Sequence, residues 1–170
     1  MFANASAFLS PVPDIKDLDQ REVWAQRSDL VGIDFRSDEQ VAFLLKLGEA
    51  YGHECRWPQN PTDDPLQFYT HNGCFSFGCA AALHCVLRYY KPQLVIEIGS
   101  GMSSLVISAA LRLNANDFSR DVKSSYTIID PYPGATVTGG LPKLTQLLEQ
   151  PVELTDVSFF DQLAENDILF

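Results

Sequence analysis

The chain has 170 residues, with 12 Lys and Arg against 22 Asp and Glu, a formal net charge of −10, 46% hydrophobic residues and 20% charged ones. That is enough chain for one domain with a proper core, in a composition ordinary for a globular protein. The acid excess excludes a nucleic-acid surface, which needs clustered Lys and Arg, and no stretch approaches the roughly 20 uninterrupted apolar residues that span a bilayer. A small-molecule ligand is therefore the default partner.

The first twenty residues, MFANASAFLSPVPDIKDLDQ, lack the basic region of a signal peptide and turn acidic early, which reads as cytoplasmic. Residues 1–35 are irregular and acidic, with a short helix expected around DLDQREVWAQ. A clear helix is predicted at SDEQVAFLLKLGEAYG. Ser37 and Gln40 have capping-box spacing, Val41, Leu44, Leu45 and Leu47 recur at helical intervals, and Gly52 suits the position just past the end. Residues 53–74 hold three prolines and Asp-rich steps, the composition of a long ordered loop or lid.

FSFGCAAALHCVLRYY is a nearly all-apolar helix that ends before Lys91-Pro92 and needs a flat apolar partner such as a sheet. The four cysteines, Cys55, Cys74, Cys79 and Cys85, form no CxxC pair. Cys79, His84 and Cys85 do not share a helix face, so Cys79 and Cys85 read as buried free thiols and no metal site is expected.

From Pro92 the grammar changes. QLVIEI is a continuous β-branched run, as in a strand covered on both faces of a parallel sheet. A helix over 103–113 follows, then the polar segment NANDFSRDVKSS, expected to be long and mobile, and a second strand, YTIID. The loop PYPGATVTGG leads to an expected amphipathic helix LPKLTQLLEQ, a third strand VELT, a short helix SFFDQLA and a fourth strand beginning at DILF. Alternating β and α elements with short connections predict a doubly wound, Rossmann-like, mostly parallel sheet with helices on both faces, preceded by an N-terminal helical segment. The chain stops at Phe170 inside the fourth strand. Such a bare sheet edge is one that natural domains avoid, so the expectation is the N-terminal part of a longer protein, with an incomplete sheet and self-association through that edge.

Between the first strand and its helix lies Glu97-Ile98-Gly99-Ser100-Gly101-Met102-Ser103-Ser104. Gly99 can take backbone angles closed to other residues, Gly101 permits close approach of a ligand, and the helix start offers free N–H groups to an anionic one. Ser103 or Ser104 can cap the helix or supply a hydroxyl. A tight βα turn needing glycine for geometry alone would give the same pattern. Asp130, ending the second strand, sits where doubly wound folds bind ribose hydroxyls, although a turn-former before Pro131 would also be an acid. A nicotinamide dinucleotide fingerprint expects glycine where Ser104 stands and no acid at Glu97. A carboxylate there suits a cationic group such as an α-ammonium, and a ligand with ribose, adenine and an amino-acid tail fits the set.

VIEIGSGMSS followed by YTIIDPYP resembles the first and second cofactor motifs of class I S-adenosylmethionine-dependent methyltransferases, in the branch reading EIGSG-x-SS and then IDP. The resemblance covers roughly residues 68–170. It implies S-adenosylmethionine as cofactor, with Glu97, Gly99 and Gly101 lining its methionine end, Asp130 on the ribose, Asp156 near the adenine amino group, and Ser100, Ser103 and Ser104 also binding the cofactor. A cap for the SFFDQL helix is the other role open to Asp156. The chain as a whole reads as residues 1–74, an N-terminal helical and lid segment, and 75–170, the N-terminal part of a cofactor-binding α/β domain with about four strands. Tyr69, His71 and Asn72 would close over the cofactor, with His71 the one candidate base.

The expected function is methyl transfer to a small-molecule oxygen, nitrogen or carbon nucleophile. An oxidoreductase using NAD or a nucleotide sugar on the same fold, and a non-catalytic nucleotide-binding or scaffold domain, are the alternatives.

Overall fold

A computed structural model describes residues 15–21, 25, 27, 31–117 and 124–170. The backbone forms two compact units, residues 1–37 and 38–170. The first contains helix α1, Ile15–Gln20. Of the helix expected over DLDQREVWAQ, residues 22–24 and 26 lie outside the described set, as do residues 1–14.

Helix α2, Ser37–Tyr51, belongs to the second unit from residue 38 on and is followed by a 3₁₀ turn at Gly52–Glu54. Helix α3, Phe77–Tyr90, starts at Ser76, whose hydroxyl accepts from the Cys79 N–H at 3.4 Å. It ends where Lys91 takes a left-handed conformation (φ 47°) ahead of Pro92, which cannot continue a helix. Strand β1, Leu94–Ile98, feeds α4, Met102–Asn116, and β2, Ser125–Ile129. The one-turn helix α5, Ala135–Thr138, precedes β3, Gln146–Leu148, and β4 is Ile168–Leu169.

All strand pairs are parallel, in the order β3-β2-β1-β4. This is the doubly wound, Rossmann-like α/β architecture expected. The chain winds outward from β1 to β3 and then returns to the other side of β1, so the topological switch lies between β1 and β4. In such sheets ligands lie beyond the carboxyl ends of the strands at that point.

Alternation along the strands divides the core. Val95, Tyr126 and Ile128 pack with Leu83 and Leu87 of α3 and with Leu105, Val106 and Ala110 of α4. Leu94, Ile96 and Ile129 face the other way, onto Val152, Phe159, Phe160 and Leu163. Among the described residues no helix is long and apolar enough to cross a membrane.

Beyond β2 the local expectations need correction. LPKLTQLLEQ is a turn and a strand, not a helix. Gly140 (φ 105°) and Lys143 (φ 68°) interrupt helical geometry on either side of Pro142. The Thr145 hydroxyl then accepts from the Tyr126 N–H at 2.9 Å and donates to the Tyr126 carbonyl at 2.7 Å, starting the ladder. Leu147 packs on one face of the sheet and Leu148 on the other, the period-two signature of a strand. With the position beside β2 taken, VELT forms a 3₁₀ turn at Val152–Leu154 after Pro151, and the expected helix 158–164 is a 3₁₀ helix, Val157–Gln162.

Helix α4 runs to Asn116, three residues past its expected end, because Asn114 is buried and its amide donates to the Leu87 carbonyl at 2.9 Å. Residues 118–123 of the long connection lie outside the described set.

Arg88 ties the rear of the α3–α4 pair together. It donates to both carboxylate oxygens of Glu54, at 2.9 and 3.1 Å, to the Asn114 carbonyl oxygen, and to Asp117 at 3.3 Å, where Lys91 also bonds. His84 Nε2 meets Glu54 at 2.8 Å.

Candidate functional site

The loop after β1 is built on positive-φ backbone. Gly99 (φ 83°) turns the chain out of the strand, and its N–H donates to the Ile129 carbonyl at 2.8 Å, holding the loop against the end of β2. Gly101 is the N-cap of α4, and its N–H donates to the Ser104 hydroxyl at 3.0 Å. Ser104 thus caps from the third helical position rather than from the start. A Cβ added at Gly99 or Gly101 would meet no atom within 4 Å, so the space over both glycines is open. The first-turn N–H groups of α4 have no intrahelical acceptors and carry the positive end of the helix dipole.

The two acids associated with the loop occupy different places. Glu97 is 1% exposed and lies beneath it. Ser103 donates to one of its carboxylate oxygens at 2.6 Å; Ser104, at 2.8 Å, and the Tyr126 hydroxyl donate to the other. Burial pushes the Glu97 carboxyl above its ordinary value, and the three hydroxyls only partly offset that. In this arrangement the carboxylate anchors the first turn of α4 to the sheet.

Asp130 is 9% exposed at the carboxyl end of β2. Ser100 donates to one of its oxygens, and the Tyr132 N–H to the other at 2.8 Å. A carboxylate offers about four acceptor positions, so Asp130 keeps capacity for two further donors, such as a pair of hydroxyls.

Tyr126 is the participant that sequence reasoning missed. Its signal was a tyrosine facing the core from a buried strand, since a buried phenol must find a polar partner. Burial and the neighbouring Glu97 raise its pKa far above the ordinary range.

Asp156 stands apart from this constellation. It is exposed and caps the 3₁₀ helix 157–162, accepting from the Ser158 N–H at 2.9 Å and the Ser158 hydroxyl at 2.6 Å, and those bonds hold its pKa down.

In the 53–74 loop the Asn72 side chain is engaged in its own turn. It accepts from the N–H groups of Cys74 (2.9 Å) and Phe75 (2.7 Å), and it donates to the Tyr69 and Phe75 carbonyls. The His71 side chain is exposed, while its backbone N–H bonds to the Gln59 carbonyl at 2.8 Å. Phe75 at the end of this loop sets its ring against Phe170, just past β4, at 6.2 Å. Pro65 and Leu66 face Ala135, Thr136, Gly139 and Gly140 across a cavity of about 290 Å³, beside the loop that follows Asp130.

Among the described residues no cluster of three or more His, Cys, Asp or Glu could hold a metal ion. All four cysteines are free, and Cys79 is exposed rather than buried, because it faces away from the contact that Ala80 and Leu83 make with the core.

Comparison with known proteins adds a lineage. The chain is 33% identical over 168 residues to an uncharacterized protein of Archaeoglobus fulgidus, an alignment covering 95% of this chain and 73% of that relative. The two belong to one family. No family model matches the chain, and no solved structure matches it. Coverage of 95% means that the glycine loop, both strand-end acids and the 53–74 loop fall within or beside a stretch that the family shares.

Proposed function

We propose that this chain binds S-adenosylmethionine at the carboxyl ends of β1 and β2 and belongs to an enzyme that transfers its methyl group to a small-molecule acceptor. The observation that carries the reading is Asp130. It has spare acceptor capacity at the strand end beside an open glycine loop and is bonded to that loop through Ser100. The geometry fits a ligand with a hydroxyl pair for Asp130 and a flexible polar tail crossing Gly99 to Gly101.

S-adenosylmethionine supplies an activated methyl on a sulfonium, so the protein has only to bind, orient and exclude water. In this reading Glu97 holds the loop in shape through Ser103, Ser104 and Tyr126 and does not reach the ligand's ammonium group. That leaves the ammonium to backbone carbonyls and Ser100. Residues 75–170 bind the cofactor, and the 53–74 loop supplies the lid, with Tyr69 and His71 as the side chains able to reach a ligand. His71 is the candidate base for a hydroxyl acceptor. The compartment is the cytoplasm, a reducing one that suits four free thiols.

Calorimetric titration with S-adenosylmethionine, run in parallel with NADH, tests this. The proposal expects binding of the first alone, weakened about tenfold or more in Asp130→Ala through loss of buried hydrogen bonds. Binding of NADH instead would transfer the site to an oxidoreductase, and binding of neither would overturn the reading.

A further inference from the structure

Cys55, just after the 3₁₀ turn that ends α2, and Cys85, in the middle of α3, are far apart in sequence. In the fold their sulfurs lie 3.9 Å apart. Both side chains are buried, packed with Leu47, Tyr51, Trp57 and Val86. Neither sulfur contacts the glycine loop or its acids, so the pair has no part in the function proposed above. Burial pushes both thiols up, Cys55 to about 12, so they rest as a protonated dithiol.

Two further features bear on what such a pair can do. Both cysteines line a cavity of about 300 Å³ walled by small or apolar residues, Gly48, Gly52, Gly78 and Ala81 among them, with the exposed Leu44 and Phe77 at its rim. The cavity gives a small reagent a path to sulfurs that are otherwise enclosed, and it gives the sulfurs room to turn toward each other. In addition, Cys55 and Cys85 sit on two different elements, which meet through the Lys46–Tyr89 hydrogen bond at 2.7 Å, the ion pairs of Glu54 with His84 and Arg88, and apolar packing, with no covalent bond between them.

We propose that Cys55 and Cys85 form a redox clasp, closed to a disulfide by a small hydroperoxide entering the cavity and reopened by a dithiol reductant. In the closing step one thiol attacks a peroxide oxygen as its proton passes to the departing oxygen, and the O–O bond breaks. The products are a sulfenic acid and, for hydrogen peroxide, water. The second sulfur then attacks the sulfenic sulfur, the S–S bond forms, the S–O bond breaks, and a second water leaves. Two thiols lose two electrons and two protons in all, and the peroxide is reduced to two waters. The bond fastens the end of α2 to α3, the helix that follows the 53–74 loop.

The test removes the exposed thiols first. In Cys74→Ser/Cys79→Ser protein, treatment with hydrogen peroxide is followed by intact mass, by peptide mapping and by thermal melting. The clasp predicts a loss of two mass units, a cross-linked peptide pairing Cys55 with Cys85, and a melting temperature raised by roughly 5 °C, all reversed by dithiothreitol. Adding Cys85→Ala to this background should abolish the mass loss and the stabilisation together. Two thiols that remain titratable after peroxide and unfolding would overturn the proposal, as would oxygen addition to one sulfur without a cross-link.

Discussion

Glu97 and Glu54 each gather several donors around one carboxylate, yet the donors differ in kind. Glu97 is met only by hydroxyls, those of Ser103, Ser104 and Tyr126, with no cation among them. Glu54 is met by a guanidinium and an imidazole. Burial raises both pKa values. At Glu97 that effect prevails and the net shift is upward, whereas at Glu54 the bonds and charge of Arg88 and His84 outweigh it and the net shift is downward. The rear of the α3–α4 pair is thus electrostatically closed. The front, under the glycine loop, holds an uncompensated acid close to Asp130. A charge left without a counterion costs stability, which at Glu97 is offset in part by the three hydroxyls that tie α4 to the sheet.

The largest effect should come from opening the closed end. Arg88→Met leaves Glu54 with His84 alone and Asp117 with Lys91 alone, and urea unfolding should show a loss of about 3–5 kcal/mol, the cost of removing the central partner of a buried ion-pair network. A loss below about 1 kcal/mol would mean that the rear network is ornamental.

Tyr126→Phe removes one donor from Glu97 at constant shape and should cost about 1–3 kcal/mol by the same measurement. It should also push the Glu97 carboxyl further up, visible in its carbon-13 titration.

The pH dependence separates the two acids by sign. Glu97 titrates higher in the folded chain than its ordinary 4.5, so the folded state holds that proton more tightly. Its contribution is complete below 4.5 and is lost as pH rises through the folded value. Glu54 titrates lower when folded, so its contribution is present above 4.5 and is lost as pH falls through its depressed value. Glu97→Gln should flatten the stability profile above pH 4.5 and Glu54→Gln below it. The reverse assignment would refute the electrostatic contrast.

The smallest effect concerns Asp156. Its cap is exposed, and Asp156→Ala should leave S-adenosylmethionine affinity unchanged in the calorimeter. A weakened affinity would return Asp156 to the adenine end of the site.

The strands and helices from Phe77 to Ile129 were legible because each has a continuous apolar run or a 3.6-residue stripe bounded by a cap or a proline. Ser76 and Pro92 mark the limits of α3, and Gly99 and Gly101 mark the turn after β1. The run Leu141 to Gln150 misled because Leu141, Leu144, Leu147 and Leu148 satisfy helical spacing. What overrides it is Thr145 pairing with Tyr126, a contact across 19 residues that no local pattern encodes. Within the site, Gly99, Gly101 and Asp130 were legible as a loop and a strand-end acid. The burial of Glu97 was not, because it depends on Tyr126, opposite Val95 on the neighbouring strand, reaching along the same face of the sheet to its carboxylate. The Cys55–Cys85 approach was hidden for the same reason, since the two residues meet only once α3 has docked beside α2.

The central claim is that the open glycine loop and Asp130 form one cofactor site, and a crystal structure with S-adenosylhomocysteine tests it most directly. The account predicts the ribose hydroxyls on the Asp130 carboxylate and the amino-acid tail over Gly99 to Gly101, with Glu97 still bound to Ser103, Ser104 and Tyr126. A ligand seated elsewhere on the chain, or Asp130 left without a ribose contact, would contradict it.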